Sequence, residues 1–378
     1  MQKTLYTFCL FFITFFAFSQ DEVEYSAKEI QTRRISKILI WEQQAAWDKE
    51  NNAINKNDSC VYLEKEYDTK GRLIATTENY CPEKMHHRGD YFTYDNLGRI
   101  TAFSRSEYGI GEVEFRGIRY EDFTEYDSIV YDQGMKQTKV IEYDANKKMI
   151  SKKTYQDAVL YESHEYNYNS KGILIGEIGM RRGVEFQKKY QHNSNDSIIL
   201  EKVYQGEELI QKEQFEYNAD GTRKNYYHIT YQDTDSIVQL IHYEYFSNKH
   251  IKKITISEND EKGVFHLIEL NEYDKNDNLI RTENRIDAAN PAVQELTYTS
   301  KRQSKSIVWK VNGKMTAQAN YEYNNHDLLI DYEYKENNSH LHVHHIYDKD
   351  DLLIEKIFTT DKKLSKKYHY TYTYFRKL

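Results

Sequence analysis

The residues best spaced for chemistry are the histidines of Ser339-His340-Leu341-His342-Val343-His344-His345. In an extended strand successive side chains point to opposite faces, so His340, His342 and His344 share one face while Leu341, Val343, His345 and Tyr347 share the other. Two histidines at i and i+2 are near enough to hold one Zn or Cu ion, with a carboxylate or histidine of the next strand completing the shell. His342 and His344 are therefore the candidate metal ligands, and no cofactor is expected beyond Zn at this cluster. All three rings of the row span about 13 Å and cannot chelate one ion, and a solvated polar face accounts for them without a metal. Asp274-Lys275-Asn276-Asp277-Asn278 starts like a calcium loop, with oxygen ligands at alternate positions. Leu279 stands where that loop needs Gly and Arg285 where it needs an acid, so the segment reads as a turn whose Asp and Asn side chains bond their own backbone.

The sequence has no Gly-x-Ser-x-Gly elbow, His-Glu-x-x-His helix, phosphate-binding glycine loop or Cys-x-x-Cys pair, and enzymatic activity is not expected. Carboxylates are so abundant that a glycosidase-like pair could arise by chance spacing alone. The 378 residues include 35 Tyr but only two Pro, and 30% are charged, with a net charge of −8. That is too aromatic for a disordered chain, and the modest, evenly mixed charge argues against nucleic acid as a partner. Met1 to Gln20 has one Lys, an apolar run of about 13 residues and small residues at Ala17 and Ser19, which reads as a cleaved secretory signal peptide rather than a membrane anchor. The expected location is outside the cytoplasm, whether periplasmic, cell-surface or extracellular, with no transmembrane segment after cleavage.

The elements that must carry these residues are set by a repeat. Tyr67-Asp68-Thr69-Lys70-Gly71-Arg72-Leu73, Tyr94-Asp95-Asn96-Leu97-Gly98-Arg99-Ile100 and Tyr273-Asp274-Lys275-Asn276-Asp277-Asn278-Leu279 are the clearest copies, with looser ones at Tyr143, Tyr168, Tyr217, Tyr323 and Tyr347 and spacing-based ones at Tyr120, Tyr190 and Tyr298. The mean period of roughly 25 residues fits two strands and two short turns and is too short for a two-helix unit. Gly71 and Gly98 supply a positive φ in the turn, a role that falls to Asn278 in the third copy. Period-two runs such as Tyr368-His369-Tyr370-Thr371-Tyr372-Thr373-Tyr374 confirm strands. The expected fold is all-β: a long antiparallel meander of about 12 hairpin repeats occupying residues 59–378, twisted or coiled into an elongated or shell-like sheet. Residues 21–58 form an N-terminal cap region, with a strand near Arg33 to Trp41. If the first turn centres on Lys70 and Gly71, Tyr67 faces Ile74 and Cys60 faces Cys81, close enough for a disulfide in an oxidising compartment.

The Tyr-Asp-x-x-Gly-Arg-Leu/Ile segments at 67–73 and 94–100 resemble the YD repeat of the RHS family, and looser copies extend the likeness over roughly residues 60–375. Members of that family form spiralling sheets and hollow shells in exported toxins, wall-associated proteins and adhesion molecules. The chain lacks the family's Pro and Asp-Pro-Gly core motif and a trailing toxin domain, so the resemblance implies fold and an envelope setting, not toxicity. Tyr204-Gln205-Gly206 and Val311-Asn312-Gly313-Lys314 are also similar to MORN-like antitoxin repeats. The function expected is that of an exported, non-enzymatic envelope or surface protein binding a polysaccharide or a protein partner through an extended sheet. An immunity or antitoxin-like binding protein and a carbohydrate-active enzyme are the alternatives.

Overall fold

The computed structural model describes residues 25–44, 46–48, 53–55, 59–80, 85–107, 111–131, 134–232 and 235–375. A short helix α1 (Ala27–Arg33) leads into strand β1 (Ile35–Gln44) and a side hairpin of β2 (Ala46–Asp48) and β3 (Ala53–Asn55). An antiparallel meander then runs from β4 (Ser59–Tyr67) to β28 (Lys363–Tyr374), each strand pairing with the next in sequence.

The Tyr-Asp segment is a five-residue turn with a fixed bonding pattern. In the first copy the Asp68 N–H donates to the Arg72 carbonyl and the Gly71 N–H to the Asp68 carbonyl, both at 2.9 Å. Asp68 Oδ1 meanwhile accepts from the N–H groups of Lys70 (2.8 Å) and Arg72 (3.0 Å). Asp95, Asp144, Asn169, Asp274, Asn324 and Asp348 repeat this double acceptance, so an Asp or Asn is favoured because its side chain closes the turn on its own backbone. The fourth residue is left-handed, with φ of 79° at Gly71 and 84° at Gly98. In the third copy that residue is Asp277 (φ 65°) and not Asn278, because Asp277 follows Tyr273 at the same distance as Gly71 follows Tyr67, and a bulge sets Tyr273 opposite Leu279. The same bulge appears in the first hairpin, between β4 and β5 (Leu73–Tyr80). Four pairs from Leu63↔Glu78 to Glu66↔Ala75 keep the expected register, but Tyr67 faces Leu73 rather than Ile74. Cys60 is disulfide-bonded, and Cys81 lies outside the described residues.

The tyrosine that precedes each turn ties it to the turn before. Tyr94 Oη–H donates to the Leu73 carbonyl at 2.7 Å, and Leu73 is the residue facing Tyr67. Tyr168, Tyr217, Tyr298, Tyr323 and Tyr347 bond Met149, Ile198, Leu279, Ser304 and Leu329 in the same way. Arg72 completes the first motif by pairing with Asp68 at 2.6 Å while lying 4.5 Å over the ring of Tyr94. Arg99 does the same between Asp95 and Tyr120. Tyr120 itself precedes a two-residue turn, and the copy assigned to Tyr190 turns two residues later, with His192 in the tyrosine position.

The sheet closes into a barrel, which corrects the expectation of a meander twisted or coiled into an elongated or shell-like sheet. β1 pairs antiparallel with β28 from Ile35↔Tyr374 to Gln44↔Lys366 and on its other edge with β4 from Lys37↔Glu66 to Gln43↔Ser59, giving one closed 26-stranded ring. The physical reason is that an open array leaves two unpaired edges, at β4 and β28, and one strand satisfies both. Among the described residues a cluster of buried apolar side chains lies at this seam, where Ile30, Ile35, Ile38, Ile40, Leu63, Leu352, Leu353 and Tyr370 are buried together. A second cluster, around Ile307, Ala319 and Tyr321, also joins only neighbouring strands. A ring of so many strands is too wide for its side chains to fill.

Helix α1 takes the place of the turn that the seam lacks. Ser26 caps it, and Ser26 and Glu29 form a reciprocal capping box. Its Ile30 is fully buried, Arg33 donates to the Asp350 carbonyl in one neighbouring turn, and its Ala27 carbonyl lies against Gly71 in the other. Just before it, Tyr25 Oη accepts from the Leu353 N–H at 3.0 Å and lies 3.2 Å from the Tyr372 hydroxyl.

Candidate functional site

The histidine row sits on β26 (Ser339–Tyr347), beside β25 (Leu329–Glu336), with the alternation read from the sequence. His342 Nε2 and His344 Nδ1 lie 2.8 and 2.9 Å from the same oxygen of Asp331, and His340 Nε2 lies 2.8 Å from Glu333. Both predicted rings thus share a carboxylate of the next strand as a hydrogen-bond partner. Among the described residues no group of three or more His, Cys, Asp or Glu side chains is placed to hold a metal ion. On the opposite face His345 is buried, and burial, reinforced by nearby Lys356, lowers its pKa to about 4, so it is neutral at pH 7.

Two carboxylates face one another on the tyrosine side of the sheet. Glu201 of β15 (Ile198–Gln205) is directly opposite Glu213 of β16 (Glu208–Tyr217). Burial and the Glu213 charge raise the Glu201 pKa, opposed by Lys188 at 3.6 Å. Tyr190 faces Glu201, and the rings of Phe215 and Tyr226 stack alongside at 5.0 Å.

Among the described residues a recess forms at the seam, and it was not anticipated because it needs strands from both ends of the chain. Trp41 and Gln43 of β1, Ser59 of β4, Lys367, His369 and Thr371 of β28 and Glu355 of β27 (Leu353–Thr360) line an open cleft of about 460 Å³. Cross-strand pairing builds it: Trp41 faces His369, Gln43 lies between Lys367 and Ser59, and Glu355 faces His369. Opposite this point β4 carries a bulge, since Ile40 faces Leu63 and Trp41 faces Val61 with Tyr62 as the extra residue, while β1 runs past β28 in regular register. The indole N–H donates to Thr371 Oγ1 at 3.3 Å, which fixes the ring. Glu355 holds Lys367 at 2.7 Å and His369 at 3.6 Å. The reverse face of β1 carries the buried Ile38 and Ile40, together with Glu42, which pairs with Lys366 at 3.0 Å. The apolar side of the seam thus anchors the strand and leaves its polar side free to line a recess.

No family model and no curated protein matches the chain. Solved structures do match, at low similarity. The TcdB2-TccC3-Cdc42 crystal structure is 10% identical over 85% of this chain and 22% of that one, with a TM-score of 0.24. A porin-like protein from Bacteroides uniformis ATCC 8492 is 11% identical over 90% and 97%, with a TM-score of 0.18, and one from Bacteroides vulgatus ATCC 8482 is 9% identical, with a TM-score of 0.14. The chain spans about a fifth of the length of the TcdB2-TccC3-Cdc42 match. At these scores none of the likenesses bears on what the chain does. No helix among the described residues is long and apolar enough to cross a membrane.

Proposed function

We propose that this is an exported, non-enzymatic YD-type repeat protein of the cell envelope or surface, binding a polysaccharide or a protein partner through its sheet. The observation that carries the reading is the division of labour between the two faces of the closed ring. The tyrosine face spends its rings and hydroxyls on the ladder between repeats, whereas the face that holds Trp41, Gln43, His369 and the His340–His344 row offers polar groups and a cleft. Extended repeat surfaces commonly serve as binding faces in this way. The cleft contains one carboxylate, Glu355, already paired with Lys367, so it lacks the two acids that glycoside hydrolysis uses. The test is a glycan array together with pull-down from native envelope, using the mature chain; retention of neither a glycan nor an envelope protein refutes the reading.

A second reading, a carbohydrate-active enzyme, rests on Glu201 facing Glu213 beside Tyr190, Phe215 and Tyr226. Directly opposed residues have Cα atoms about 4.5–5.5 Å apart, compatible with the close carboxyl pair of retaining glycosidases. Hydrolysis of a glycan panel that is abolished in both Glu201→Gln and Glu213→Gln would establish it.

A further inference from the structure

We infer that the seam cleft is a subsite for a neutral pyranose unit, with Trp41 as its stacking platform. The inference rests on the reading of the protein as an envelope binding protein and names the ligand class of one of its surfaces. A sugar ring needs a flat apolar face for its C–H groups and a rim of donors and acceptors for its hydroxyls. The cleft offers both: the indole of Trp41 is held by Thr371 and faces His369 across the seam, and Gln43, Ser59, Glu355 and Lys367 surround it. Its volume of about 460 Å³ falls within the usual span of small-molecule sites.

Charge selects a neutral ring over an acidic one. Lys367 is 2.7 Å from Glu355, which also faces His369, so the carboxylate already neutralises the nearest cation and would oppose an incoming uronate. A carboxylate beside an ammonium instead suits adjacent hydroxyls, one donating to Glu355 Oε and the next accepting from Lys367 Nζ. The cleft is open, and its strands continue beyond it, so the ring can belong to a longer chain.

The test is titration calorimetry on the mature chain with neutral gluco-, manno- and galacto-oligosaccharides and with an oligouronate of matched length. At least one neutral series should bind, more tightly than the oligouronate. Trp41→Ala should lose at least tenfold in affinity and Glu355→Gln several-fold, both melting close to wild type. Should Trp41→Ala fail to fold, Glu355→Gln and Lys367→Met carry the test, with the same several-fold loss expected. Neutral sugar binding that survives all three substitutions, or tighter binding of the oligouronate, overturns the cleft while leaving the envelope-binding reading intact. Retention of an envelope protein with no binding to any sugar likewise removes the subsite alone, and loss of both kinds of partner removes the two readings together.

Discussion

Replacing Gly71 with Ala separates the role of the turn from the role of the seam. Gly71 and Gly221 occupy the same left-handed position of equivalent turns, with φ of 79° and 85°. A non-glycine residue there costs about 1–2 kcal/mol from its Cβ alone, and Lys147, Asp277 and Asp351 show that the fold tolerates it. At Gly221 a new Cβ meets nothing within 4 Å, so Gly221→Ala should lose only that roughly 1–2 kcal/mol. At Gly71 the Cβ would stand 2.0 Å from the carbonyl oxygen of Ala27, a backbone atom of α1 that cannot rotate away. The helix must lift, uncovering Ile30, whose full burial is worth about 1.5–3 kcal/mol, and loosening the bonds of Tyr25, worth about 1 kcal/mol. Gly71→Ala should therefore be destabilised by about 3.5–6 kcal/mol in total. Urea unfolding of both variants, together with hydrogen exchange at the Ile30 and Arg34 amides, measures this. Equal losses in the two variants, with α1 amides as protected as in wild type, would refute the assignment of α1 as the piece that locks the ring.

Tyr323→Phe removes only the hydroxyl that donates to Ser304 at 2.9 Å and should cost about 1 kcal/mol by chemical denaturation; no loss would mean that the ladder is ornamental. His345 gives stability a pH dependence of known sign. Its folded pKa of about 4 lies below the ordinary 6.5, so the stability linked to its neutral form is complete above pH 6.5 and declines by about 3 kcal/mol as pH falls toward 4. His345→Gln should flatten that acid limb, and an unchanged profile would contradict the burial argument. For the histidine row, calorimetric titration with Zn should give the same weak heat for wild type and for the His342→Ala/His344→Ala variant, since Asp331 already engages both rings; tight binding lost in the variant would establish a metal site.

The strands and turns were legible because their causes are local. Alternation marks β28, and Asp68, Asp95 and Asp274 mark turns because a short side-chain acceptor bonds a backbone two and four residues ahead. The bulge was not legible, and it displaced Tyr67 from Ile74 to Leu73, whereas the left-handed position at Asp277 was legible, since it follows Tyr273 as Gly71 follows Tyr67. Helix α1 did leave a local sign, Ser26 followed three residues later by Glu29, which the sequence reading passed over. The cleft left none, because Trp41 meets His369 and Thr371 only through a pairing that spans more than 300 residues.

Closure is likewise a long-range fact, yet its chemistry is written into β1. Every other neighbouring pair of strands in the ring follows along the chain, β1 and β4 with only the side hairpin between them, whereas β1 must recognise β28 across more than 300 residues. It does so by matching faces: Ile38 and Ile40 lie between Tyr372 and Tyr370 on one side and Lys65 and Leu63 on the other, while Trp41 and Gln43 take the opposite face of the sheet. A one-residue slip of β1 would exchange these sets, exposing two buried isoleucines and burying a glutamine without a partner, so the register is strongly held. The same register is what brings Trp41, Gln43, Ser59, Lys367 and His369 into one cleft. The seam cleft therefore exists because the ring is closed, and a variant that opens the seam should lose the cleft before it loses its strands.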